Sequence, residues 1–473
     1  MFASFVRGNI YQDNKMKVNE HLLSKEALKK FNVAVPRYTS YPTAPEWNDK
    51  VTQENCLKAV KTAKDQDSIA LYLHIPFCEK LCWYCGCNTI IKKQKSHSET
   101  YVKYLIKEID LVASSLNGKR VNVSQLHWGG GSPNFLTDKQ CVAVLDKLDE
   151  CFDIDYSGEI AIEIDPRTTT EEQIRLYRKL GFNRISMGVQ DFDADVQKAI
   201  NRIQPYEKIA EMTALCRELG FNSVNFDLIY GLPKQSRESF QKTLELTEKL
   251  APDRIALYSF AWLPNARNHM SLIKEEDLPS PQEKMDIFLD ARKFFCEGEY
   301  VDIAMDHFAR KNDELSIAYK NGELHRNFMG YTVQTLRDNI GFGMSAISYI
   351  DHTYLQNYKT LAEYYAAVEK GELPIQNAKK LSADDVMRQW VISKLMCTLK
   401  LERGAFKERF GEDFDRTFSE ELGLLGEFIL DGYVSDDDLA LRVNDSGRLL
   451  MRNICSVFDA YYHKTKRTFS KAI

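Results

Sequence analysis

The chain has 473 residues, of which 44% are apolar and 28% charged, with a formal net charge of −5. That length gives two or three domains with large cores, and no apolar run is long enough to span a membrane. The slightly acidic balance argues against a nucleic-acid partner, which would need a clustered basic surface. Of the 11 cysteines, Cys56, Cys141, Cys151, Cys216, Cys296, Cys397 and Cys455 stand singly at irregular spacing. They form no disulfide framework and read as core filling. The first residues, MFASFVRGNIYQDNK, have neither an apolar signal core nor dense arginine, so a cytoplasmic location is expected.

Residues 1–30 are polar and weakly patterned, with a short helix expected over 24–31; Met16 is an alternative start. PRYTSYPT, residues 36–43, is proline-bounded and rich in hydroxyls, which predicts extended loop. It reads either as an arm on the surface or, through Arg37 beside Tyr38 and Tyr41, as a binder of a carboxylate-bearing ligand. The first strand, IALYLHI from Ile69, runs into HIPFCEKLCWYCGCN, residues 74–88. There Cys78, Cys82, Cys85 and Cys87 follow the pattern Cys-x3-Cys-x2-Cys-x-Cys. Four soft sulfur donors so close together point to an iron–sulfur cluster. Structural zinc would want two separated pairs, and no second pair is present. A closed four-cysteine cluster remains open, as does a three-cysteine cluster whose free iron takes a bidentate ligand.

A strand-then-helix rhythm continues to about residue 262. Further strands are expected at VSQLHW from Val123, EIAIEI from Glu159, NRISMGVQ from Asn183, NSVNFDLIY from Asn222 and DRIALYSF from Asp253. Stretches with helical apolar spacing separate them, as from Tyr101, Gln140 and Ser239. Six such units imply a parallel sheet, open or curled into a partial barrel. Ligands of such folds bind beyond the C-terminal strand ends. Cys78, Gly129 to Ser132, Glu163 and Asp165, Gln190 and Asp191, Asp227, and Ala261 all fall there. HWGGGSP, residues 127–133, is either a tight turn or a place where backbone approaches a ligand, and it is no dinucleotide fingerprint. Glu163 and Asp227 have apolar sequence neighbours, so each needs an internal cation or a ligand's donors. Gln190 and Arg202 complete a polar set; His74, His127 and His307 read either as supporting groups or, as is more common, as satisfied core histidines, and they are not catalytic candidates.

From 263 to 380 a helix is expected at residues 281–297. MDHFARKND and LHRNFMGYT, dense in aromatic and cationic residues, are expected to lid the barrel mouth. The remainder predicts helices over 383–397 and 414–430, a hairpin in GYVSDDDLALRV and a last helix from 446 to about 463. A hairpin among helices suggests a winged helix, but too little basic character accompanies it for DNA reading, and its expected role is to cover the barrel. The domains are then an N-terminal arm over 1–68, a barrel with its lid over 69–370 and a mostly helical unit over 371–473.

HIPFC-x3-C-x2-C-x-C and the triple glycine resemble the radical S-adenosylmethionine superfamily. PRYTSYPT, Cys87, LHWGGGSP, IEIDPR, SMGVQDF, DLIYGLPKQ, MDHFAR, HRNFMGYT and GRLLMRNIC together resemble the oxygen-independent coproporphyrinogen III oxidase family, from Pro36 onward. The resemblance implies an α/β fold, a partial (β/α)6 TIM-type barrel. It implies one 4Fe–4S cluster on Cys78, Cys82 and Cys85, with the fourth iron chelated by S-adenosylmethionine. Tyr72, Tyr84, Gly130, Glu163 and Ile347 match contacts to that molecule. Gly131, Ser132, Gln190, Arg202, Asp227 and Ala261 match contacts to a second one. Cys87 would face the second molecule, and Cys87 and Tyr72 are the catalytic candidates.

The implied chemistry is decarboxylation of two propionates of coproporphyrinogen III to vinyls by a 5′-deoxyadenosyl radical, giving protoporphyrinogen IX. Arg37, with Arg310 or Arg326, would grip propionates. A reducing donor such as flavodoxin or ferredoxin and a monomeric state are further expectations. Two positions depart from the family pattern: Met329 stands where glutamine is expected and Trp262 where histidine is expected. The alternatives within the family are a radical haem methyltransferase and a haem chaperone; chaperone-like relatives lack the fourth cysteine and the PRYTSYPT arm.

Overall fold

Six segments of the chain alternate with period two, and the alternation sorts their side chains to the two sides of one sheet. They are β1 (Ile69–Ile75), β2 (Asn122–Gly130), β3 (Asp153–Ile164), β4 (Arg184–Gln190), β5 (Ser223–Tyr230) and β6 (Arg254–Ser259). They lie in chain order, each parallel to the next. These are the six expected strands, with β3 beginning earlier. In this computed structural model, which describes residues 25–334 and 338–462, the apolar set of these strands is buried. Leu71, Leu73, Trp128, Ile162, Met187 and Phe226 share one core with Leu105, Val144, Ile174 and Leu244 of the intervening helices. The alternate residues, among them Gln125, His127, Glu159, Glu163, Arg184, Asp227 and Arg254, line an inner cavity of about 150 Å³.

The sheet stays open. Beyond β6 come β8 (His307–Arg310) and β7 (Tyr300–Ile303), both antiparallel. Beyond β1 come β11 (Asn339–Phe342), parallel to it, then β12 (Ile347–Ile350), β13 (Thr353–Asn357) and β14 (Ile375–Lys380) as an antiparallel run. The helices restart at fixed residues after the strand ends. Thr137 with Gln140 and Thr170 with Gln173 form reciprocal caps before helices Asp138–Cys151 and Glu171–Lys179. Each cap satisfies two otherwise orphaned backbone donors, so the length of the preceding loop is set.

Three expectations change. MDHFARKND is no lid: its first half forms β8 on the sheet edge, where Phe308 and Ala309 are buried. LHRNFMGYT forms a separate hairpin, β9 (His325–Asn327) and β10 (Gly330–Thr332), that enters the open side of the barrel. Asn327 Nδ2 donates to Gln125 Oε1 at 2.9 Å and Thr332 Oγ1 to Glu159 at 3.1 Å, so polar partners inside the barrel draw it inward. The sheet also runs on to Lys380, past the expected boundary at 370.

In the C-terminal unit, helix Ala383–Thr398 and the hairpin strands Val434–Asp436 and Ala440–Val443 stand as expected, joined by a third strand, Lys400–Glu402. The run over 414–430 breaks into Phe414–Thr417 and Ser419–Leu430, because Phe418 leaves helical geometry to bury its ring against Phe406, Phe414 and Phe458. The last helix is likewise two pieces, Asp445–Arg448 and Met451–Val457, and it stops at Val457, short of the expected end near 463. The readings of residues 1–15 and Met16 lie outside the described residues, while helix Lys25–Phe31 matches the expected 24–31. Among the described residues no helix is long and apolar enough to cross a membrane.

Candidate active site

At the C-terminal ends of β1 to β6 lies a cavity of about 660 Å³. Cys78, Cys82, Cys85 and Cys87 all line it, on a loop braced largely through its backbone. Trp83 N donates to Ile200 O at 3.0 Å and Asn201 Nδ2 to Leu81 O at 2.7 Å. His269 Nε2 donates to Cys85 O and Arg267 Nη2 to Gly86 O, both at 2.7 Å. These braces escaped the sequence reading, because a side chain that binds a carbonyl leaves no mark on the residue types of its partner.

Cys82 is buried, and its sulfur receives Arg167 Nη2 at 3.2 Å and Arg202 Nη1 at 3.4 Å. Asp165 joins the two guanidiniums, at 2.7 Å from Arg167 and 3.3 Å from Arg202. Burial opposes the charge of Asp165, but Arg202 and Arg167 outweigh it and hold the carboxyl at about 2. Burial pushes the Cys78 thiol up to about 12. Cys85 is brought down to about 6, chiefly by a hydrogen bond from the Cys87 side chain, against the opposing effect of burial. Cys87 is the exposed member of the four, and it lines the cavity.

The triple glycine packs the second loop against the first. Gly130 has φ +112°, and a Cβ there would meet the His74 ring at 2.8 Å. A Cβ on Gly131 would meet the Pro76 carbonyl, also at 2.8 Å; its N–H donates to Ile75 O at 2.8 Å. Ser132, next along, lines the cavity and hydrogen-bonds Cys78.

Behind this wall the inward residues form a chain. His127 Nε2 donates to Glu163 Oε1 at 2.9 Å and Gly130 N to Glu163 Oε2 at 3.4 Å. Burial raises the Glu163 carboxyl, but His127 and the Gly130 N–H more than compensate, so it lies below its ordinary value. Tyr72 stacks on His127, with ring centres 5.9 Å apart. Burial brings the His74 imidazole below its ordinary value. Its Nε2–H donates to Asn88 O at 3.0 Å, which leaves Nδ1 to accept from the Tyr72 hydroxyl at 3.2 Å. Asp227, held by Asn225 Nδ2 at 2.9 Å and Ser186 Oγ at 3.2 Å, is raised to about 6 by burial and then by the charge of Glu163.

The large cavity thus brings together Arg37, Tyr84, Gly130, Gly131, Ser132, Glu163, Gln190, Arg202, Asp227 and Ala261 with the four cysteines. Ile347 is not on its wall: its side chain packs against the cluster of Trp47, Tyr354 and Leu381. Its backbone lies against Gly341, which pairs with Tyr72. Arg310 is at the other end of the barrel, because β8 runs against β6 and carries it past Arg254 to Asp253, where its N–H bonds the carbonyl at 3.0 Å. Arg326 is held on the hairpin, donating to Tyr38 O at 3.0 Å with its guanidinium 5.3 Å from the Tyr331 ring centre. Met329 lines the inner cavity beside Glu163 and Asp227. Trp262 Nε1 donates to Met270 O at 3.0 Å near the rim.

Among the described residues no His, Cys, Asp or Glu side chains gather tightly enough to hold a single metal ion. A polynuclear cluster needs thiols spread along a roomy wall, as Cys78, Cys82 and Cys85 are. Gln190 Oε1 is buried with no partner, on a residue that lines the cavity. A buried acceptor left unmade is costly, so the wall fits a donor-bearing ligand next to the thiols.

Fold and site define the class, a radical S-adenosylmethionine enzyme: residues 72–247 match the radical SAM superfamily, whose members use a 4Fe–4S cluster with S-adenosylmethionine, and residues 381–450 match the HemN C-terminal domain. The oxygen-independent coproporphyrinogen III oxidase of Synechocystis sp. is 43% identical over 457 residues, 95% of this chain and 98% of that protein. The one from Escherichia coli is 42% identical over 448 residues, 94% and 97% of the two chains. The solved structure of the E. coli coproporphyrinogen III oxidase HemN, described as a radical SAM enzyme, superposes with a TM-score of 0.87 at 43% identity, covering 90% of this chain and 97% of that one. The chain belongs to the oxygen-independent coproporphyrinogen III oxidase family and is an oxidoreductase.

Proposed function

We propose that the protein converts two propionates of coproporphyrinogen III to vinyl groups without oxygen, giving protoporphyrinogen IX in haem biosynthesis. The observation that carries this is the single cavity whose one wall bears Cys78, Cys82 and Cys85 and whose other wall bears Glu163, Asp227 and the unpartnered Gln190 oxygen. The relatives' shared activity supports the substrate.

Cys78, Cys82 and Cys85 would hold one 4Fe–4S cluster, and the cavity would hold two molecules of S-adenosylmethionine. When bound, the cluster would supply the electron that splits S-adenosylmethionine to methionine and a radical able to take a hydrogen atom from a propionate β-carbon, and loss of carbon dioxide with one electron passed to an external one-electron acceptor would leave the vinyl. The chain's own share is placement and exclusion of water. The glycine loop would hold the first molecule's amine against its backbone, with Glu163 accepting beside it. Tyr72 and Ile347 back this wall, and Tyr84 closes it from the cysteine loop. Gly131, Ser132, Gln190, Arg202, Asp227 and Ala261 face the second molecule, and Cys87 stands next to it. Arg37 reaches the cavity and would bind a propionate; Arg326 would support it from the hairpin, and Arg310 lies too far along β8 to do so. A flavodoxin or ferredoxin as donor, a monomeric state and a cytoplasmic location complete the reading.

The test is anaerobic turnover: reconstituted protein given reductant, S-adenosylmethionine and coproporphyrinogen III is expected to yield a divinyl product and carbon dioxide. Deoxyadenosine with unchanged porphyrinogen would refute the assignment.

The raised Asp227 also predicts a pH dependence. A ligand's hydroxyl donors favour the carboxylate, and that form increases as pH rises through about 6. S-adenosylmethionine binding to the cluster-loaded protein should therefore strengthen between about pH 5 and pH 7. In Asp227→Asn the slope should disappear, and an unchanged slope would contradict the role.

A further inference from the structure

Arg167 stands in the turn after β3 with its side chain 4% exposed, and the reaction proposed above gives it no task. Its guanidinium is fixed from two sides. Nε and Nη2 fork the Asp165 carboxylate, with Nε 3.0 Å from Oδ1 and Nη2 2.7 Å from Oδ2, and Nη1 donates to Asn201 O at 3.1 Å. Held in this way, Nη2 also lies 3.2 Å from Cys82 Sγ. The segment that receives Nη1 grips the cysteine loop as well, through Asn201 Nδ2 to Leu81 O and Trp83 N to Ile200 O. Guanidinium and sulfur are thus set against each other by one short stretch of chain.

Cys82 differs from the other two proposed ligands in what hydrogen-bonds its sulfur. Ser132 bonds Cys78, and the Cys87 and Thr89 side chains bond Cys85, all of them neutral donors. Cys82 receives two guanidiniums, Arg167 and, at 3.4 Å, Arg202. Asp165, which reaches both, cancels one of the two positive charges, so the surroundings of this sulfur stay net positive. An electron added to an iron–sulfur cluster adds negative charge, which hydrogen bonds and positive charge at its sulfurs favour. Arg202 is also committed to the second S-adenosylmethionine in the proposed function, which leaves Arg167 as the donor with no ligand to share.

We infer that Arg167 is a positioning residue that acts through Cys82 to raise the reduction potential of the cluster. This rests on the cluster proposed above for Cys78, Cys82 and Cys85. Arg167 eases the transfer of one electron from the external donor, which is oxidised as the cluster is reduced, and no proton moves.

The test is the midpoint potential of the full-length, cluster-loaded protein without S-adenosylmethionine or porphyrinogen, poised with dithionite and mediators and read from the paramagnetic signal of the reduced cluster. Arg167→Met should lower the ratio of reduced to oxidised cluster at a given potential by about tenfold, a downward shift of about 59 mV for one electron. Arg167→Lys keeps the charge without the fork and should fall between. Asp165→Asn removes the carboxylate that offsets the guanidiniums, so it should shift the potential upward. A merely structural role would not give opposite signs. Iron and sulfide analysis accompanies each variant, and if Arg167→Met retains no cluster, the Lys and Asn variants decide. A cluster-bearing Arg167 variant with the wild-type potential, or shifts of Arg167→Lys and Asp165→Asn in the same direction, would overturn the inference. Loss of the cluster from both of these variants would make the group a structural brace and overturn it as well. Wild type that takes up no 4Fe–4S cluster would overturn the proposed function instead.

Discussion

Cys82→Ala is expected to leave reconstitution without the iron and sulfide of a 4Fe–4S cluster and to reduce turnover to background. Cys82 is the buried member of the three proposed ligands, and its sulfur faces Arg167 and Arg202. A cluster thiolate is an anion, and these guanidiniums stabilise it at that point. Removing the sulfur takes away a ligand and leaves buried positive charge that Asp165 alone offsets. Cys87→Ser is the comparison. Cys87 is exposed on the cavity wall and hydrogen-bonds Cys85; the iron content of the variant should match wild type while turnover falls. Iron analysis and the visible spectrum check both variants, and loss of iron from Cys87→Ser would contradict the division of three cysteines from one.

Gly130→Ala is expected to lower stability by about 1–3 kcal/mol and turnover by about 100-fold. At φ +112° the backbone suits glycine, and the new methyl would meet the His74 ring at 2.8 Å. His74 cannot yield without releasing Asn88 O and the Tyr72 hydroxyl. The cysteine loop and the Tyr72 wall would therefore shift together, and a 1 Å displacement is enough for that loss of rate. Gly220→Ala provides the control. It has φ +75° and nothing within 4 Å of the added carbon, so it should carry backbone strain yet keep kcat. Thermal unfolding and S-adenosylmethionine binding separate the two; wild-type behaviour of Gly130→Ala in both would refute the role of the close approach.

The period-two pattern made the sheet legible, and with it the inward positions of Tyr72, His127, Glu163 and Asp227. A short run of apolar and polar residues fixes which side each occupies. The local density of cysteine marked the cluster loop in the same way. What stayed hidden depends on partners far along the chain. The hairpin around Met329 reads as a surface lid because its polar residues look solvent-bound; Gln125 and Glu159, which draw it inward, belong to other strands. Arg310 was misplaced because nothing in MDHFAR reveals that the strand reverses direction.

In the proposed reaction the cavity delivers a hydrogen-abstracting radical to a propionate β-carbon. Coproporphyrinogen III deuterated at those carbons, turned over anaerobically by the reconstituted protein, tests it most directly. Deuterium is expected in the recovered 5′-deoxyadenosine together with the divinyl product. Unlabelled deoxyadenosine alongside a vinyl product would contradict it.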